Sequence, residues 1–369
     1  MSEVDVVSTY QRIGAVVLRN VISTNELELL RNGVEEVLSC PSRRAQEVSD
    51  DFDKEGRFFE DFERWPDCQS LENFVRNTRL SRIGATLMQS STATLYHDHI
   101  LVKEPGTTAR TPYHQDQPYY DVEGTKTISF WIPLDLINAE TSLEVVPSTH
   151  SGPWYLPTTF KSGEKKWFPP GSLPECPSFN HQTDILRWTL EPGDAIAFHF
   201  LAVHGAPGVS ATAPRRRVYS LRLLGDDCTY IPRPWIPSPD LHPILAAFPG
   251  GHPPLQPGAA LTGPLFPTLF HCPINLQTYP IIGAPSALAG LVGRLRADFL
   301  RSGAVVLPRF LTDKALEEMA AEVAAAAPLA FVSRDGHNVY LDSGDPSLPP
   351  EHPRNVRVRT VVGSIAYDL

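Results

Sequence analysis

From about residue 92 to residue 225 the sequence runs in short stretches, "ATLYHDHILVKEPG", "TKTISFWIPLDLIN", "SLEVVPSTH", "ILRWTLEPGDAIAFHFLAVHG" and "RRRVYSLRLLGDD", each broken by Pro, Gly or Asp. Stretches rich in Thr, Val, Ile and aromatics at this spacing, with no 3.6-residue period between them, predict short antiparallel strands. Each such strand has a face to bury, so a sandwich or closed barrel is expected here.

The flanks read differently. "RIGAVVLRNVISTNELELLRNGVEEVL" predicts a strand from Ala15 to Leu18 and then a helix. Ser23 is its N-cap and Glu26 closes a capping box ahead of Leu27, Leu30, Val34 and Val37. Residues 47 to 70 mix acids with Phe52, Phe58, Phe59, Phe62 and Trp65 without a period, which reads as an irregular segment against the core. Residues 229 to 288 are dense in Pro and Gly and read as a wrap and linker.

Near the far end "RSGAVVLPRFLTDKALEEMAAEV" (301–323) repeats "RIGAVVLRNVISTNELELLRNGV" (12–34), an offset of 301 − 12 = 289, with "AVVL" intact and Thr312 in the place of Ser23. The chain is therefore expected to hold a domain over 1–285 and, over 286–369, an incomplete second module with a strand-helix opening, or else a helical appendage.

A net charge of −10 argues against a nucleic-acid backbone or an anionic membrane as partner. The five cysteines are scattered and never form a C-x-x-C pair, which fits reduced thiols. No basic n-region precedes an apolar stretch and nowhere do eighteen apolar residues run together, so a cytoplasmic location is expected.

Chemistry enters at "TPYHQDQPYYD", where His114 and Asp116 stand two residues apart. On a strand such residues share a face, so an imidazole and a carboxylate can reach one point. Alone, H-x-D is weak, because a chain with twelve histidines offers such pairs by chance. A third ligand is available in "PGDAIAFHFLAVHG", whose strand ends at His204, with His199 on the opposite face. Two histidines and a carboxylate suit non-haem Fe(II) with open positions, whereas zinc is satisfied by a tetrahedral set. Arg215, Arg216 and Arg217 follow about a dozen residues later, and a guanidinium fork matches the carboxylate of an organic co-substrate.

The ordered series "TPYHQDQPYY", "ISFWIPLD", "LEVVPSTH", "PGDAIAFHFLAVHG" and "RRRVYSLRLLGDD" resembles the phytanoyl-CoA dioxygenase family of Fe(II)/2-oxoglutarate-dependent oxygenases, over residues 8 to 270. The resemblance implies a mainly β fold with flanking helices, a double-stranded β-helix of the jelly-roll, cupin-like kind. It implies iron ligation by His114, Asp116 and His204, and an arginine on the distal carboxylate of 2-oxoglutarate. Aligning on "VYSLR" picks Arg216, and counting from His204 picks Arg215; strand register is less elastic than the loop before it and favours Arg216. Trp131 matches an aromatic lining the family's co-substrate pocket, Lys103 matches a recurrent lysine near it, and His99 shares the face of Lys103. Tyr113, Gln117, Tyr119 and Arg110 are candidate substrate contacts.

Two departures stand out: Ser142 and Ser148–Thr149 lie where the family carries glycines, and Ala206 replaces a hydroxyl two residues beyond the distal histidine. The implied reaction uses Fe(II), O2 and 2-oxoglutarate to hydroxylate an unactivated C–H bond of a small molecule, releasing succinate and carbon dioxide. Related halogenases carry Gly or Ala where Asp116 stands, so hydroxylation is favoured, with desaturation or cyclisation left open. The rival expectations are a cupin-like metalloprotein that works without 2-oxoglutarate and a non-catalytic barrel scaffold. The last segment resembles the opening of a second 2-oxoglutarate oxygenase module.

Overall fold

The computed structural model describes residues 3–47, 56–158, 172–179, 184–235, 237–240, 256–261, 266–281, 285–329, 331–337 and 344–364. It forms two compact units, Met1–Cys272 and Pro273–Leu369.

The first unit opens with α1 (Glu3–Ile13), β1 (Ala15–Leu18) and α2 (Thr24–Ser39). The expected capping box is present: Ser23 Oγ accepts from Glu26 N at 3.3 Å while Ser23 N donates to Glu26 Oε2 at 2.8 Å. The stripe it launches, Leu27, Leu30, Val34 and Val37, is buried, and full burial of each such side chain contributes on the order of 1.5–3 kcal/mol. β2 (Gln46–Glu47) and β3 (Phe58–Phe62) follow, then α3 (Gln69–Asn77) and α4 (Leu80–Met88). β3 overturns the expectation of an irregular segment for this part of 47–70; Phe52 lies outside the described residues. All five β3 residues are buried, which erased the alternation a one-sided strand would show.

Next come β4 (Thr92–Lys103), β5 (Thr111–His114), β6 (Val122–Glu123), β7 (Thr127–Pro133), β8 (Glu144–Val145), β9 (Ala195–Phe198), β10 (His204–Ala206), β11 (Arg216–Leu224), β12 (Thr229–Tyr230) and β13 (Thr268–His271). The major sheet has the order β1-β9-β7-β11-β4-β3-β2, with β13 also on β4, and a smaller sheet has the order β5-β10-β8. The pairings within both are antiparallel.

Alternation sorts the major sheet into two faces. Ile128, Phe130, Ile132, Tyr219, Leu221, Leu223, Ile100 and Val102 join Leu30, Val34, Phe74 and Leu80 of the helices in one apolar layer. The opposite residues look towards the small sheet, where Trp131, Ile196, Phe198 and Val218 pack with Val145 and Ala206. The result is a helix layer on a squashed two-sheet barrel, the double-stranded β-helix expected. Ser148 takes the left-handed conformation at φ 63°, which glycine adopts more readily.

The second unit contains α5 (Pro285–Ser302), α6 (Asp313–Ala326) and a hairpin of β14 (Phe331–His337) and β15 (Val358–Ser364). The expected helix forms at α6 with Thr312 as N-cap, but "AVVL" at 304–307 is not a strand.

Candidate metal and co-substrate site

β5 and β10 pair so that His114 and His204 face each other in register. β5 ends at His114, and the chain then turns into a 3-10 helix over Gln117–Tyr119, so Asp116 reaches the same point from the turn and not from the strand. The turn is pinned by Asp116 N donating to Phe200 O at 2.7 Å.

The three ligand atoms lie within 4.8 Å of one another and all three residues are buried. Each ring is oriented by its backbone: His114 Nδ1 is 2.8 Å from Pro112 O, and His204 Nδ1 is 2.9 Å from Ala202 O. A carbonyl can only accept, so Nδ1 is the protonated nitrogen of each ring in its neutral form, which leaves the Nε2 lone pair for a metal. Asp116 Oδ1 stands 3.6 Å from His114 Nε2 and 3.7 Å from His204 Nε2, too far for hydrogen bonds. Two imidazole nitrogens and a carboxylate oxygen thus converge at one buried point, an arrangement a divalent cation suits.

The far oxygen, Asp116 Oδ2, accepts from Ser129 Oγ at 2.9 Å and from Arg222 Nε at 3.2 Å. Burial alone would raise the Asp116 carboxyl; Arg222, His204 and His114 outweigh it and hold it well below the usual range. Burial, with His114 alongside, pushes His204 down to about 3, so it stays neutral at physiological pH.

A second cluster sits at the Arg216 end of the inner face, where Arg216 and Lys103 are register partners. Arg216 Nη2 and Lys103 Nζ both donate to Pro207 O at 3.2 Å; Arg216 Nη1 reaches Thr141 O, and Lys103 Nζ reaches Ala109 O at 2.7 Å. Arg216 is 5% exposed and burial lowers it to about 10. Among the described residues no carboxylate pairs with it. Trp131 lies on the same inner face, beside Val218 and Phe198. His99 also looks inward, stacked on Phe62 with centroids 4.0 Å apart and with Nε2 3.2 Å from Glu60 Oε2.

The remaining candidates make other contacts within the fold. Arg215 points to the opposite side of β11 and pairs with Glu35 at 2.9 Å and Glu104 at 3.0 Å. Tyr113 alternates with His114 onto the outside of the small sheet, where its hydroxyl donates to Glu144 Oε2 at 2.7 Å, and Arg110 pairs with the same oxygen at 2.6 Å. Gln117 Nε2 is bound to Gly124 O at 2.9 Å. Tyr119 keeps its ring edge-on to His114 at 5.7 Å, but its hydroxyl donates to Thr158 O at 2.7 Å. His199, as expected, stays off the triad and bonds Thr125 O at 2.7 Å.

Three inner-face residues escaped the sequence reading: Arg222, Ser129 and Glu60. The first two were legible by period, two residues beyond Ser220 and two before Trp131; Glu60, on a strand buried on both sides, carried no such signal.

Known proteins resemble this chain in sequence and in fold. A probable phytanoyl-CoA dioxygenase of Caenorhabditis elegans is 29% identical over 145 residues, 37% of this chain and 44% of that protein. The human peroxisomal phytanoyl-CoA dioxygenase is 28% identical over 143 residues, 37% of this chain and 40% of its own length. The chain thus matches less than half the length of either relative. Among solved structures, the non-haem alpha-ketoglutarate-dependent carbocyclase SnoK of nogalamycin biosynthesis shares the fold, with a TM-score of 0.55, 22% identity, and coverage of 73% of this chain and 96% of that one. The model of the phytanoyl-CoA dioxygenase (PhyH) family matches residues 10–217, which contain the whole triad and Arg216, and the chain belongs to that family.

Proposed function

We propose that this protein is an Fe(II)- and 2-oxoglutarate-dependent oxygenase that hydroxylates a C–H bond of a small molecule. The observation that carries the reading is the pairing of two features in one barrel: a buried His114–Asp116–His204 set on the small sheet and its turn, and Arg216 and Lys103 meeting at the Pro207 carbonyl on the inner face of the major sheet.

In this reading the two Nε2 atoms and Asp116 Oδ1 hold Fe(II), and Arg216 with Lys103 takes the distal carboxylate of 2-oxoglutarate. The bound metal with its co-substrate supplies the oxidising chemistry, with succinate and carbon dioxide as by-products. The chain's own work is positional. Pro112 O and Ala202 O fix the ring tautomers, and Ser129 and Arg222 occupy Asp116 Oδ2 so that one oxygen faces the metal. Trp131 and Val218, buried in one apolar cluster, would keep water from the co-substrate. Asp116 fills the place that chloride would need, which favours hydroxylation; desaturation and cyclisation remain compatible with the same site. A 2-oxoglutarate-independent metalloprotein or a scaffold would leave the buried Arg216 guanidinium without a carboxylate to meet among the described residues.

A small-molecule substrate and a cytoplasmic location belong to the same proposal, with neither nucleic acid nor membrane as partner. Among the described residues no helix is long and apolar enough to cross a membrane. The test is anaerobic addition of 2-oxoglutarate to the Fe(II)-loaded protein, read as a charge-transfer absorption band, followed by succinate formation in air. Arg216→Met is expected to raise the 2-oxoglutarate concentration needed about 10–100-fold, the worth of a charged hydrogen-bond pair. An absent band in the metal-loaded protein sinks the proposal.

A further inference from the structure

The segments repeated in sequence also share backbone detail that a strand-and-helix unit does not require. Gly14 and Gly303 are left-handed at φ 81° and 74°, and so are Asn20 and Arg309 at φ 51° and 53°; both pairs are separated by the same 289 residues. Left-handed residues other than glycine are uncommon, so the second coincidence is informative. Gly14 N bonds Tyr10 O and Gly303 N bonds Phe299 O, each at 2.8 Å. Ser23 and Thr312 each cap a helix by accepting from the N–H three residues on. A hairpin follows in both copies, β2–β3 in one and β14–β15 in the other.

The copies differ in what they cover. Tyr10, Leu27, Leu30 and Val34 are at most 7% exposed, packed on the outer face of the major sheet. Their counterparts Phe299, Leu316, Met319 and Val323 are 56%, 60%, 50% and 57% exposed. β1 pairs with β9, whereas 304–307 pairs with no strand among the described residues and Val306 is 84% exposed. Of the described side chains of α5 and α6, only Leu291 and Ala315 are buried. Helices of this length draw their stability from a packed apolar face, and here that stripe lies bare.

We propose that α5, 304–307 and α6 form a docking face for the outer side of a further antiparallel sheet, that of a second barrel of this fold. The occupant is named by the first copy, in which the same backbone unit adds an edge strand and lays its stripe on such a sheet. In the first unit that outer face is covered by its own α1 to α4. One position marks the second copy as fitted to different neighbours. A Cβ at Gly33 would meet Leu71 Cδ2 at 2.4 Å, and the matching residue is Glu322.

The test is a full-length chimera in which 301–323, carrying Glu322→Gly, stands in place of residues 12–34. It is expected to unfold cooperatively, about 10 °C below the native chain, and to bind Co(II) with native stoichiometry. The same chimera further carrying Leu316→Glu, Met319→Glu and Val323→Glu is expected to show neither. Failure of the first chimera, or folding of both, overturns the proposal. Light scattering on the native chain supplies the other arm: a dimer dissolved by those three glutamates would assign the face to a second copy of this chain and overturn it equally.

Discussion

The two faces of β11 are buried alike and differ in almost everything else. Leu221 and Leu223 look outward into the helix layer among Phe130, Ile128 and Leu95; Arg216, Ser220 and Arg222 look inward, towards Lys103, His99 and Asp116. Apolar burial on the outer face drives folding, while every buried charge on the inner face costs desolvation that its partners offset only in part. Burial therefore says little about role here. The outer face holds the barrel together, and the inner face spends some of that stability to hold charged groups in two clusters, one at Asp116 and one at the Pro207 carbonyl.

The largest effect expected from breaking this contrast is Asp116→Ala, which removes the one carboxylate of the triad and strands Arg222. Co(II) binding and succinate formation should both be lost, while the melting transition of the apo-protein persists. On the outer face Leu221→Ala should do the reverse. It is expected to cost about 2–5 kcal/mol in urea unfolding, the usual range for a truncated core leucine, with Co(II) affinity unchanged below the transition. If Leu221→Ala weakened the metal site as much as it weakened the fold, the faces would not be separable.

Much of this division was legible before any coordinates. The capping box at Ser23 and Glu26 is local chemistry, and local chemistry survives into the fold. Period-2 alternation placed Arg216 with Val218 and Ser220; carried two residues further it reaches Arg222, and applied to neighbours it sends Arg215 away from Arg216 and Tyr113 away from His114. The substrate candidates Tyr113 and Arg110 came from nearness in sequence; in the fold both meet Glu144, a partnership that spacing does not announce. β3 was hidden because a strand buried on both faces has no polar side to alternate with. Asp116 was expected on the strand, and no spacing rule announces that β5 stops at His114 and turns.

Glu60, the inner-face residue of β3, offers a sharper measure of what the polar face costs. Burial pushes its carboxyl up to about 7, against the lowering influence of Lys103, His114 and Arg222. Below about pH 4.5 the group is protonated in both folded and unfolded chains and contributes no difference. As pH rises towards 7 the unfolded chain ionises and the folded one does not, so stability falls; above 7 the cost is complete, about 3 kcal/mol for a shift of this size. Glu60→Gln should stabilise the protein by up to that amount at pH 8 and hardly at all at pH 4, read from urea midpoints. An equal gain at both pH values would trace the effect to packing and not to ionisation.

The smallest effect tests whether the inner face is organised around a metal. Arg222 is a buried cation whose Nε binds the Asp116 oxygen facing away from the histidines, with Ser220 Oγ 3.3 Å from Nη1 and the Tyr120 ring 6.0 Å away. Losing such an outer partner of a ligand usually lowers metal affinity about 10–100-fold. Arg222→Met is expected to raise the Co(II) dissociation constant by that factor, Arg222→Lys to recover part of it, and Ser129→Ala to cost less than either because the guanidinium remains. A Co(II) spectrum that changes in Arg222→Met and returns in Arg222→Lys would show that the arginine sets the carboxylate's orientation, an effect simple loosening of the barrel would not reverse. Native affinity in Arg222→Met would mean that the charges opposite Leu221 and Leu223 are not arranged about a metal, and the contrast between the faces would lose its functional meaning.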